Sequence, residues 1–69
     1  MDRKIEYFFK HKIKVHIICG YNRAWYNGII LAFKPKRDLL VLKDDVLGEV
    51  PILFEEIERI EPFREEKRG

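Results

Sequence analysis

Sixty-nine residues with one cysteine leave room for a single domain with a small core and exclude an internal disulfide. Below roughly 70 to 80 residues one core seldom supplies more than about 3 to 5 kcal/mol, so self-association is the most economical extra support. The chain has no Ser, Thr or Gln while 38% of it is charged, a bias that fits a thermophile and leaves no hydroxyl nucleophile of the Ser or Thr kind.

The net charge of +2 conceals a gradient, because residues 1–37 hold nine Lys and Arg against two acids and residues 38–69 hold five against ten. The basic half can attract a polyanion, or the acidic half of a second copy. No apolar run approaches the roughly 18 residues of a membrane span, and no signal-peptide pattern opens the chain. We therefore expect one soluble, cytoplasmic domain over residues 1–69.

The first element is a short helix over residues 2–11, with Asp2 as N-cap and Ile5, Phe8 and Phe9 on one face. Its other face carries Arg3, Lys4, Glu6, Tyr7 and Lys10, so it should lie on the rest of the domain as a lid. A helix of about ten residues is marginal alone and needs that docking. From Lys12 the period changes to two: Ile13, Val15 and Ile17 alternate with polar residues, Ile18 and Cys19 break the alternation, and Gly20 ends the strand.

A second strand is expected over 24–33, bent at Gly28, since a glycine inside a strand marks a bulge, a corner or a close backbone approach. Both of its parities are largely apolar. A cationic turn, Lys34-Pro35-Lys36-Arg37-Asp38, leads to a third strand over 39–43. Asp44 and Asp45 open the next turn and Gly48 closes it; Val50, Ile52 and Phe54 then alternate in a fourth strand, where Pro51 demands an edge or a bulge. A single 3₁₀ turn at Glu55-Glu56-Ile57 and a fifth strand over 58–62 follow, with a short helix as the competing reading, before a polar tail at 63–69 expected to be flexible. The fold class is mainly β: a short N-terminal helix and a strongly bent five-stranded antiparallel sheet forming a small SH3-like barrel.

In this order the elements resemble the Sm-like family (Sm, Lsm and the bacterial RNA chaperone Hfq), over residues 5–62. The resemblance rests on Ile13-Lys14-Val15-His16-Ile17 as first strand and on Gly28-Ile29-Ile30-Leu31-Ala32-Phe33 in the place of the G-x-L-x-x-F core of the first Sm motif. Leu40-Val41-Leu42-Lys43-Asp44 follows the turn, and residues 49–60 occupy the place of the second motif. It implies a homo-oligomeric ring of six or seven subunits, built by pairing fourth and fifth strands, that holds single-stranded, often uridine-rich RNA near its pore. Lys34 stands where the family has Asp, Asp38 (or Leu39) where it has a base-reading Asn, and Phe54-Glu55-Glu56-Ile57 where it has Arg-Gly.

Candidate RNA-binding residues are Lys34, Lys36, Arg37 and Asp38 in the cationic turn, where three cations add counterion-release affinity. Tyr21 and Arg23 join them, with Trp25 and Tyr26 nearby, because bases stack on aromatic and guanidinium faces. The same residues also suit a solvated turn and a subunit interface. Val50, Ile52, Phe54, Ile57 and Ile60 are the candidate oligomer interface. His11, His16 and Cys19 match no common zinc spacing, so no metal, cofactor, small-molecule substrate or catalytic residue is expected. The leading expectation is a non-catalytic RNA-binding ring. The alternatives are a self-assembling interaction barrel that has lost uridine-specific binding, and a monomeric SH3-like accessory module.

Overall fold

The computed structural model describes residues 2–64, apart from the side chain of Asp2, so the expected capping role of Asp2 and most of the tail lie outside the described residues. Helix α1 spans Asp2–Lys10 and is followed by strands β1 (Val15–Cys19), β2 (Trp25–Lys34), β3 (Leu39–Asp44), β4 (Gly48–Leu53) and β5 (Ile57–Pro62). All pairs are antiparallel, and the sheet order is β4-β3-β2-β1-β5. No helix among the described residues is long and apolar enough to cross a membrane.

The first strand begins later than the alternation suggests because the end of α1 uses Lys12. That residue is left-handed at φ 53; its N–H donates to the Phe9 carbonyl and the Ile13 N–H to the Phe8 carbonyl, at 3.2 and 3.0 Å. This is a Schellman close, with Lys in the place usually taken by Gly. Ile5 and Phe8 are buried beneath the helix, and Phe9 packs against Phe33. The apolar spacing of α1 therefore reads out directly as its docking face.

Cys19 corrects the expected end of β1. It continues the buried parity of Val15 and Ile17, while the irregularity at this point is a register shift against β5. Bulge and glycine are separate features in β2. The bulge lies at Leu31, where Ile30 pairs with Leu42 and Ala32 with Val41. Parity flips there, so Phe33 turns inward to pack on the core while Leu31 stays exposed. This is why both parities of the strand look apolar in sequence. Gly28 serves the close approach instead: a Cβ there would stand 1.8 Å from the Lys43 carbonyl oxygen.

The core is Ile5, Phe8, Val15, Ile17, Cys19, Ile30, Leu40, Leu42, Ile52, Ile57 and Ile60. Strands β4 and β5 are the two sheet edges, yet only the 3₁₀ turn Phe54–Glu56 connects them. Across a flat five-stranded sheet the edges would lie about 19 Å apart, whereas the four steps from Leu53 to Ile57 reach at most about 14 Å. The sheet must curl. Pro51 lies on the β4 edge, where a missing N–H is tolerated.

Candidate nucleic-acid interface

The cationic turn is a 3₁₀ turn, Pro35–Arg37, started by proline and closed by Asp38 in the left-handed region at φ 52. Its main chain is fixed at two points. The Asp38 N–H donates to the Pro35 carbonyl at 3.1 Å, and the Asp38 carbonyl accepts from the Phe54 N–H at 2.8 Å. Phe33 and Phe54 stack beside it, with centroids 6.0 Å apart. Lys34, Lys36, Arg37 and Asp38 are all exposed. None of the three cations has an ion-pair partner among the described residues. A fixed backbone thus holds three exposed charges in water.

Tyr21 and Arg23 sit in another turn, between β1 and β2, where the Asn22 side chain accepts the Ala24 N–H at 3.1 Å. Tyr21 is 83% exposed. Its neighbours across a shallow depression are Glu55, Glu56 and Glu58, and the Gly20 N–H donates to the Glu56 carbonyl at 3.0 Å. The two expected RNA-binding groups therefore flank the acidic 3₁₀ turn from separate sides. Tyr26 leaves the set altogether, packing against the core, while Trp25 emerges on the opposite face of the sheet.

The expected interface residues also divide. Ile52, Ile57 and Ile60 are buried in the protomer's own core, and Val50 and Phe54 are half-buried against it. Their alternation serves folding, because inward positions on a curled edge strand face the core. What β4 offers a second copy is its open main chain together with exposed Glu49, Pro51 and Leu53.

One grouping was not singled out from the sequence. On the outer face of β1, β2 and β5 a groove of about 660 Å³ is lined by His16, Trp25, Asn27, Glu61, Pro62, Phe63 and Arg64. The register builds it: His16 pairs with Asn27 on one side and with Glu61 on the other, and Trp25 is two residues before Asn27. His16 Nδ1 lies 2.5 Å from Asn27 Oδ1, and the His16 and Trp25 rings are 5.8 Å apart. An amide oxygen can only accept, so Nδ1 carries the proton and the lone pair of the neutral ring sits on Nε2. Lys14 lies over the Phe63 ring at 4.3 Å and pairs with Asp45 at 2.6 Å; Arg59 pairs with Glu61 at 3.5 Å. Counting outward from the Gly20–Ala24 turn was the signal that could have brought His16, Trp25 and Asn27 together.

Cys19 is buried, and burial, followed by the charge of Glu56, raises its thiol above the usual range. Such a thiol is a poor nucleophile and a poor ligand. No cluster of three metal-ligating side chains occurs among the described residues. Comparison of the chain with family models, curated proteins and solved structures finds no match.

Proposed function

We propose that the curled sheet closes into a small SH3-like barrel of the Sm type, that copies join through the β4 and β5 edges into a ring, and that the β2–β3 turn contacts single-stranded RNA. The observation that carries the RNA reading is the state of Lys34, Lys36 and Arg37: exposed, without ion-pair partners among the described residues, and mounted on a turn fixed by Pro35 and by the Asp38–Phe54 hydrogen bond. Charge on a fixed support contributes phosphate affinity without an ordering cost in the backbone. The barrel reading is supported by the short β4–β5 connection, and the ring by two open edges on a chain with so small a core.

Because Lys34 and Asp38 (or Leu39) stand where the Sm-like family, which the chain resembles, has Asp and a base-reading Asn, the proposed contact is electrostatic and tolerant of sequence. Labelled oligo-uridine and oligo-adenine should bind at low salt with similar affinities and lose binding steeply as salt rises, measured by fluorescence anisotropy. No anisotropy change at micromolar protein would defeat the RNA reading and leave a self-assembling interaction barrel. Native mass spectrometry of the same samples checks the ring, which a purely monomeric spectrum would rule out.

A further inference from the structure

We infer that the groove on the outer face of β1, β2 and β5 is a separate binding site for one unpaired nucleotide, its base stacked on Trp25, its edge read by Asn27 and His16, and its phosphate met by Arg64. The inference stands independently of the cationic turn.

The indole of Trp25 is 63% exposed on a strand whose neighbouring register positions belong to β1, so one of its faces is open to a planar partner. Stacking of a base on such a ring contributes about 1 to 3 kcal/mol and tolerates any base. Beside it, the His16–Asn27 hydrogen bond fixes both side chains. With Asn27 Oδ1 turned to His16 Nδ1, the Asn27 Nδ2 hydrogens remain as donors and His16 Nε2 as an acceptor. A donor next to an acceptor matches the adjacent acceptor and donor on the pairing edge of an unpaired base. Phe63 and Pro62 form the apolar wall, and Arg64 stands at the margin as the cation. Glu61, the acid in the lining, is engaged by Arg59, which lowers its repulsion of a phosphate.

Trp25 is the sole tryptophan of the chain, so its fluorescence reports on this groove alone. Titration of the whole protein with AMP, UMP and labelled RNA hexamers should give saturable quenching of that emission. Trp25→Ala should weaken hexamer binding, followed by anisotropy, by about tenfold, and Asn27→Ala should reduce mononucleotide quenching several-fold. The triple variant K34A/K36A/R37A should keep the mononucleotide quenching while losing hexamer affinity. Trp25 is exposed and the Asn27 side chain bonds only His16 among the described residues, so both variants should fold, as circular dichroism will verify. Absence of quenching by every nucleotide, unchanged binding in Trp25→Ala and Asn27→Ala, or quenching by a proline-rich peptide in place of nucleotides would each overturn the assignment. Loss of hexamer binding in the triple variant together with retained quenching would separate this groove from the turn.

Discussion

The two turns at either end of β3 each carry an aspartate, and the two aspartates do different work. In the β2–β3 turn every side chain from Lys34 to Asp38 is exposed, and it is the Asp38 main chain, rather than its carboxylate, that hydrogen-bonds to the described residues. In the β3–β4 turn the Asp44 carboxylate is buried and accepts N–H groups from Asn27, Val46 and Leu47 at 2.9 to 3.0 Å. That carboxylate ties the turn to β2, and the hairpin tip it holds exposes Val46 and Leu47. An acid spent on backbone donors belongs to folding; one left in water beside three cations is free of that duty and available to the RNA contact we propose. Position in the register, not residue type, decides which.

The strongest way to break this contrast lies at the root of the structural turn, where Gly28 pairs with Asp44. Gly28→Ala would drive a methyl to 1.8 Å from the Lys43 carbonyl oxygen and 2.7 Å from its carbon. Backbone cannot yield as a flexible side chain can, so we expect a loss of about 3 kcal/mol or more. Against a core of this size that leaves the chain largely unfolded at 25 °C. Thermal denaturation followed by circular dichroism checks it; a melt like that of the unaltered protein would refute the close-approach account.

Asp44→Ala comes next, with an expected loss of about 2 kcal/mol from stranded backbone donors, while Asp38→Ala should change stability by less than about 0.5 kcal/mol. The Leu47 N–H does most to hold the Asp44 carboxyl below the usual carboxylate range; burial opposes it, and the N–H groups of Val46 and Asn27 add to it. A depressed native pKa means that Asp44 contributes its full stability above the unfolded value, near pH 4, and loses it as pH falls through the native one. Asp44→Asn should accordingly be less stable than the unaltered protein at neutral pH. The gap should narrow in acid, as urea denaturation at pH 7 and near pH 3 would measure.

The difference between these turns also marks how far the residues could be read in advance. Helix α1 and five strands were legible because Ile5, Phe8 and Phe9 repeat at helical spacing and because Val15, Ile17 and Ile52 lie where alternation put them; the second 3₁₀ turn begins one residue earlier than expected, at Phe54, and takes that residue from the end of β4. The boundaries at Lys12 and Leu31 were not legible. A Schellman close on lysine and a bulge without glycine are tertiary outcomes that local pattern does not encode. Cations in a turn were visible as such; the separation of Tyr21 from Trp25 and the joining of Trp25 to His16 and Asn27 required a register. Asp44 looked like any turn aspartate, since only burial and the three backbone donors that reach it in the fold distinguish it from Asp45.

On the binding side, replacing Lys34, Lys36 and Arg37 with alanine should leave stability within about 0.5 kcal/mol. It should flatten the salt dependence of RNA affinity. Each phosphate contact on a single strand contributes about −0.7 to the logarithmic slope, so three lost contacts reduce it by roughly 2. Anisotropy titrations at several salt concentrations give the slope directly. An unchanged slope would return these residues to the status of a solvated turn.

Asp38→Gly is the finest probe. Glycine removes the cost of a left-handed side chain at φ 52, but it also loosens the unfolded chain, and the two effects, each on the order of 1 kcal/mol, nearly cancel. Stability should therefore shift by less than about 0.5 kcal/mol in either direction. The charge change does not cancel. With the acid gone the turn keeps its three cations alone, so RNA binding should tighten a few-fold at low salt and return to the original value as screening shortens the reach of the carboxylate. A tighter complex at high salt as well would mean that Asp38 acts by shaping the turn, which would place its carboxylate on the same footing as that of Asp44 and dissolve the contrast between the two turns.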